Sequence, residues 1–398
     1  MFKHRLIYLD TASATALDPR VYSAMKPYWS RYFANPASLH QAGLVSAQAL
    51  ATARQTVADY LVVRSDEIFF TSGGTESLNG AILGLAKTFS TPRHLVISAL
   101  EHEAVLAPCR LLEQQGWKLT IIPTDSTGLI SAKTVAMALT PETVLVAITA
   151  VNNEIGTIQN LPEIAKVIRQ FRVKNQSSYP YFLTDACQAP RALELKVPQL
   201  GVDFLVLNGS KIYGPKGVGA LFVRRGIKIE PLLLGGGQEK GLRSGTSNLP
   251  GIIGLAKALQ ICQQEREKET KKLASLRDYF LTELKRQIPD LLVNGDLVSR
   301  LPSNLNISLA GFLGEQLVIE LSAKGIACSA GSACSALTDK GPSGTLLALG
   351  LKPELANSAL RFSLDRKTTK ADLKFTVKTL VKIITKYRQS EFNFPLVV

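Results

Sequence analysis

Cysteine is scarce: five residues in 398, namely Cys109, Cys187, Cys262, Cys328 and Cys334. They form no CxxC pair, which argues against a zinc site, and an odd, sparse set is the pattern of a reduced, intracellular protein. Long apolar runs are missing too. Thr143 to Val151 is among the longest, well short of the roughly 18–20 residues that span a bilayer. The N-terminal stretch is basic, then apolar, but its apolar core is only LIYL, below the ~7 residues of a signal core. Neither GxxxxGK[ST] nor GxGxxG occurs, so no nucleoside-triphosphate loop or dinucleotide fingerprint is supported. The 19 Pro and 29 Gly are scattered, which excludes a collagenous or low-complexity chain. Acidic residues are also in deficit: 32 Asp+Glu face 46 Lys+Arg, a net charge of +14. The surface must attract anions, whether nucleic acid, an acidic protein or an anionic cofactor.

What is present is ordinary globular material, 46% hydrophobic and 20% charged, in a chain long enough to bury a large core. The expectation is a soluble, cytoplasmic enzyme with no membrane contact. Strand-like runs appear at 67–70, 94–99, 118–123, 143–151, 181–185, 203–208 and 218–223. Helical spacing fills the gaps, as at Leu161, Ile164, Val167, Ile168 and Phe171. Apolar strands separated by helices predict an α/β fold with a mostly parallel central sheet covered on both faces. Ligand sites in such sheets gather at the carboxyl ends of the strands. After about residue 255 the pattern changes to charged amphipathic helices (262–286 and 369–388) around an irregular region. A large domain over 15–255 is expected, with a smaller α+β domain from 1–14 and 256–398.

The strand ends carry the chemistry. Thr71-Ser-Gly-Gly-Thr-Glu-Ser77 joins a strand to a helical run, and its glycines let the backbone approach an anion at a helix start. Other strand ends bear Glu101-His102-Glu103, Asn152-Asn153-Glu154, Asp185 with Gln188, and Ser210-Lys211. Singly, each reads as a cap or a structural polar residue. Together they offer an amine, an acid, a histidine and an anion loop, the parts needed to hold pyridoxal 5'-phosphate.

The motifs TSGGTES, LEHEAVL, VNNEIGT, TDACQA, GSKIYGPKGVGAL, RSGTSN and ACSAGSAC occur in the order seen in cysteine desulfurases of the NifS/IscS type. YLDTASATALDP, FANPASLHQAG and ALRFSL resemble that family as well, so the resemblance covers essentially the whole chain. It implies a fold-type-I pyridoxal phosphate enzyme that turns L-cysteine into L-alanine and leaves a persulfide on Cys334. By the same resemblance, Lys211 is the Schiff-base lysine and Asp185 pairs with the pyridine nitrogen. His102 stacks on the ring and shuttles protons. Gly74 and Thr75 hold the phosphate; Asn153 and Gln188 bond near the phenolic oxygen and the substrate. Thr246 reaches the phosphate of a neighbouring subunit, which implies a homodimer. Arg361 and Asn35 bind the substrate carboxylate, the arginine as a bidentate fork. Cys334 is further implied as a transient ligand to an iron–sulfur cluster, the one metal contact expected.

Two segments depart from the family pattern. The usual Ser-x-His-Lys is Asn208-Gly-Ser210-Lys211 here. Both Asn208 and Ser210 can hydrogen-bond a phosphate, so altered cofactor affinity is the expectation rather than lost chemistry. The stretch SALTDKGPSGTLLALGL after Cys334 lacks the family's usual wording, which leaves partner choice open. The implied partner is a persulfide acceptor such as an iron–sulfur scaffold, with a tRNA-thiolation partner as the other route. Rival readings are a selenocysteine lyase or class-V aminotransferase on the same fold, and a basic binding scaffold with impaired catalysis. Cys328, six residues before Cys334, reads as a buried small hydrophobe. Lys370, Lys374, Lys378, Lys382 and Lys386 recur every four residues beside the apolar stripe Leu373, Val377, Leu380 and Ile384. That spacing predicts a packed stripe and a solvated lysine face, with docking of an acidic acceptor or RNA as the functional alternative.

Overall fold

The computed structural model describes residues 6–331 and 341–391. Seven strands form the central sheet: β2 (Ile68–Thr71), β3 (His94–Ser98), β4 (Lys118–Ile122), β5 (Thr143–Ala147), β6 (Tyr181–Asp185), β7 (Phe204–Asn208) and β8 (Gly219–Val223). Their order is β2-β8-β7-β6-β5-β3-β4. All neighbours pair in parallel except β8, which runs antiparallel to both β2 and β7. Every run expected as a strand therefore lies in one sheet. The run 143–151 is shorter than expected as a strand, and its last residues turn into the cleft instead.

The two faces of the sheet show why these segments are strands. Val96, Val146, Phe182 and Leu205 enter one core cluster, while Leu95, Leu145, Leu183 and Phe204 enter the other. Alternation at period 2, with both faces apolar, is what a strand covered on both sides requires. β4, at the sheet edge, is the strand left partly exposed.

A second core forms around β1 (Ile7–Tyr8), β9 (Leu292–Val293), β10 (Asn304–Ser308), β11 (Ile326–Ala327) and β12 (Ala359–Ser363). β1 pairs with β11, and β10 pairs antiparallel with β9 and β12. The chain's first residues thus pack with its last third. The helix Leu249–Gln287 bridges both cores, burying Leu255, Leu259 and Cys262 in one and Leu273, Phe280 and Leu284 in the other. The boundary expected at 255/256 falls inside this helix. Periodicity cannot mark that position, because a helix crossing two cores keeps one continuous apolar pattern. Ion pairs lock the crossing: Arg191 to Glu269 at 2.9 Å, and Arg366 to Asp18 at 2.8 Å and to Glu269 at 3.3 Å.

Candidate active site

A cavity opens at the carboxyl ends of the parallel strands. It is lined by residues that include Gly74, His102, Asn153, Asp185, Asn208 and Lys211. Each arrives by a simple route. β2 ends in the turn that starts the helix Gly74–Ala86, and no side chain caps that start. Gly73 has φ +155°, a conformation L side chains rarely adopt, and nothing stands within 4 Å of where its Cβ would be. A Cβ on Gly74 would lie 2.8 Å from the Cys187 sulfur. Uncapped helical amides, glycine backbone and open space make a cradle for a phosphate.

His102 caps the helix Glu103–Gln114, its Nδ1 accepting the Ala104 N–H at 3.0 Å. That bond places the ring proton on Nε2 and fixes the ring plane. Asp185 ends β6, and its Oδ1 accepts the Cys187 N–H at 2.9 Å. Lys211 follows β7 on a single 3-10 turn. Its Nζ donates to the carbonyls of Ala12 at 2.9 Å and Ser13 at 2.5 Å. Gln188 Nε2 donates to the same Ala12 carbonyl at 2.9 Å. Asn208 accepts from Ser210 N–H at 3.2 Å and from its hydroxyl at 3.1 Å. The two replaced residues therefore satisfy each other, and of the pair Asn208 alone lines the cavity.

Arg361, on β12, is 1% exposed. Its Nη2 pairs with Asp10 at 2.8 Å and donates to the Ser13 hydroxyl oxygen at 2.8 Å, while Nη1 donates to the Asn153 carbonyl at 3.2 Å. Its Nε is buried with no hydrogen-bond partner among the described residues. Both Nη atoms are engaged, and through Asn153 the guanidinium stands one residue from the cavity.

The structure does not bring every expected residue together. Thr75 and Thr246 are exposed. Asn35 is exposed as well, its Oδ1 already accepting the Ala37 N–H at 3.0 Å on the loop before the helix Gln41–Leu61. None of the three lines the cavity. Cys334 lies outside the described residues. On the return from that segment, Ser343 donates to Glu154 Oε2 at 2.6 Å, beside Asn153. The other four cysteines are buried. Desolvation pushes the thiols of Cys109, Cys262 and Cys328 up to about 12, and Cys187 well above its ordinary value.

Two features escaped the sequence reading. The segment Asp10–Ser13 is a hub that meets Arg361, Lys211 and Gln188 at once. The second is Glu101, which is buried. Its Oε1 accepts Ser98 Oγ–H at 2.5 Å and Thr149 N–H at 2.7 Å, joining the ends of β3 and β5. Oε2 has no partner among the described residues. Burial first, then the nearby Asp185 charge, pushes this carboxyl up to about 8, although the Ser98 and Thr149 bonds oppose the rise.

A folded-state value above the ordinary 4.5 means the folded protein holds this proton more tightly. The stability it contributes is complete below about pH 4.5 and is lost as pH rises to about 8. Glu101→Gln is therefore expected to gain on the wild type by about 3–5 °C in Tm between pH 5 and pH 8.5. A Tm difference constant across that range would show that Glu101 does not hold the proton.

Comparison with known proteins agrees with this geometry. The class-V aminotransferase family matches residues 7–375. The cysteine desulfurase IscS of Dictyoglomus turgidum is 43% identical over 96% of each chain. Among solved structures, a NifS-like protein superposes with a TM-score of 0.89 at 32% identity, covering 96% of this chain and 99% of its own. SspA in complex with cysteine superposes with a TM-score of 0.77 at 34% identity, over 91% and 100%. Family match, full-length identity and the strand-end cavity agree: the chain belongs to the class-V aminotransferase family and, within it, to the cysteine desulfurases of the NifS/IscS type.

Proposed function

We propose that the protein converts L-cysteine to L-alanine and leaves the sulfur as a persulfide on Cys334. One observation carries the reading: Lys211, Asp185, His102 and the uncapped helix start at Gly74 share one cavity, with Arg361 bonded to the carbonyl of the lining residue Asn153. Pyridoxal phosphate is the cofactor of this family, and the residues present fit it. The glycine cradle would take the phosphate, Asp185 the ring nitrogen and Lys211 the aldehyde carbon. When bound, the cofactor supplies a carbonyl that captures amines and a ring that accepts electron density from the substrate's α-carbon.

The chain's own residues do the rest. Asp185 keeps a proton on the ring nitrogen by holding a negative charge against it. Arg361 grips the cysteine carboxylate and so fixes which bonds face Lys211. The Lys211 amine takes the α-proton, and His102 Nε2 moves a proton at the substrate. The Cys334 thiolate attacks the substrate sulfur: the Cβ–S bond breaks, an S–S bond forms, and Cβ takes up a proton to give alanine. A persulfide acceptor, such as an iron–sulfur scaffold protein or a tRNA-thiolation partner, then removes the sulfur. We place the enzyme as a homodimer, with exposed Thr246 meeting the partner's site, and divide its two domains within the helix Leu249–Gln287, between Cys262 and Leu273. Among the described residues no helix is long and apolar enough to cross a membrane.

The test is product analysis of the yellow holoenzyme with cysteine and a reducing thiol. Alanine and sulfide in equal amounts are expected. A keto acid product would mean an aminotransferase, and turnover confined to selenocysteine a lyase. A colourless protein that cannot be reconstituted would leave only a scaffold. Within the same reading, Arg361→Lys is expected to raise KM for cysteine about tenfold or more, because one ammonium cannot keep the Asp10, Ser13 and Asn153 bonds and also hold the carboxylate. Cofactor absorbance should not change. An unaltered KM would move the carboxylate site elsewhere.

A further inference from the structure

The helix Lys370–Glu391 packs on the second core through Leu373, Val377, Leu380 and Ile384, all nearly inaccessible. Lys370, Lys374, Lys378, Lys382 and Lys386 are all exposed. At four-residue spacing, neighbours in this row are about 6 Å apart along the axis and turned by about 40°. The row therefore sweeps across the whole solvent side of the helix over about 24 Å. Phe375, 48% exposed, stands on the same side.

Acidic groups nearby are otherwise engaged. Asp372 is buried, accepting Thr369 N–H at 2.9 Å and Oγ–H at 2.7 Å. Glu283, beside Lys374, pairs with Arg286 at 2.8 Å, and Asp290 pairs with Arg388 at 2.5 Å. Glu320 accepts the Tyr387 hydroxyl at 2.9 Å. Two lysines also lie over rings, Lys370 at 4.3 Å from Tyr279 and Lys386 at 5.6 Å from Tyr387. Among the described side chains of this helix, the exposed ones are the five lysines, Phe375, Ala371, Thr385, Arg388 and Gln389, with no acid.

From this juxtaposition we infer that the lysine row and Phe375 bind a single strand of nucleic acid. The row advances by ~6 Å along the axis per lysine, and long flexible side chains let its ammonium groups follow the phosphates of an extended strand. Charge alone would serve an acidic polypeptide equally well. The exposed ring decides between them: an unpaired base stacks on it, whereas an acidic chain leaves it in water. A duplex hides its base faces, so the match is to a single strand. The net charge of +14 adds a long-range attraction for any polyanion. This surface lies apart from the catalytic cavity, and neither Phe375 nor a lysine of the row is among its lining residues.

The experiment is fluorescence anisotropy of the holoenzyme with a labelled mixed-sequence oligoribonucleotide, titrated in salt. Three to five phosphate contacts predict a slope of log affinity against log salt of about −2 to −3.5. Lys374→Glu/Lys378→Glu/Lys382→Glu should bind at least about tenfold more weakly and flatten the slope by about 2. Phe375→Ala should weaken binding about tenfold with the slope unchanged. Cysteine turnover should be the same in all three proteins. No binding by the wild type at about 50 mM salt, or unchanged binding by the triple variant, overturns the inference. Unchanged binding by Phe375→Ala, together with equal competition from polyglutamate, assigns the row to an acidic protein and overturns it too.

Discussion

Cys334→Ser is expected to bind pyridoxal phosphate as the wild type does and to lose alanine production by about 10³-fold or more. Only a thiolate attacks sulfur well, and a hydroxyl cannot carry it away as a persulfide. The other cysteines are poorly suited to the task. Cys328, the nearest competitor in sequence, is 8% exposed, and its thiol is pushed up to about 12 by burial and the Asp10 charge, against the lowering effect of Arg361. At neutral pH such a group has almost no thiolate. Cys187 lines the cavity, its sulfur 2.8 Å from where a Cβ on Gly74 would stand, but burial pushes its thiol well above the ordinary value. Gly331, Ser332 and Ala333 before Cys334 are all small residues. Cys328→Ser should keep most activity, since serine is close to cysteine in size. Mass spectrometry after brief exposure to cysteine should find one added sulfur, on the Cys334 peptide. Sulfur on the Cys328 peptide, or an active Cys334→Ser enzyme, would overturn the assignment and leave the cofactor site intact.

The inner strands were readable because they are short apolar runs buried on both faces, such as Leu95–Ile97 or Phe204–Leu207. The residues at their ends were readable because parallel strands deliver their last side chains to one edge of the sheet. Where local pattern stops carrying information, the reading stops too. β1 is two residues long, and the hub beside it meets Arg361 some 350 positions away, through contacts that no local period encodes. Glu101 sits in Glu101-His102-Glu103, three polar residues that look like a solvated turn. Its burial follows from the ends of β3 and β5 closing over it, a tertiary fact. The opposite case is Asn35, whose motif resembles the family while its side chain serves the local turn here. Chain order identifies which residues belong to a family; the contacts across strand ends decide which of them meet in this chain.

Lys211→Ala should lose both the absorbance of covalently held cofactor and turnover, the latter by about 10³-fold or more. Its amine is the one that the cavity presents together with Asp185 and His102. Its Nζ is aimed by two main-chain carbonyls, Ala12 and Ser13, both acceptors. Those bonds satisfy the ammonium, so the loss in the alanine variant has two parts, a structural one and a chemical one. Lys211→Arg separates them. Arginine keeps a cation able to donate to both carbonyls but offers no amine for the aldehyde. Lys211→Arg should therefore recover the Tm lost by the alanine variant while remaining inactive. The control is Lys216, the nearest alternative in sequence. Its Nζ lies 3.5 Å from the Thr15 carbonyl, on a different groove lined by Leu6, Tyr8 and Asp372 among others. Lys216→Ala should keep the cofactor and most of the activity. Cofactor still covalently bound in Lys211→Ala, with turnover retained, would move the reactive amine to another lysine. Recovery of activity in Lys211→Arg would show that this side chain orders the Asp10–Ser13 segment and does no chemistry.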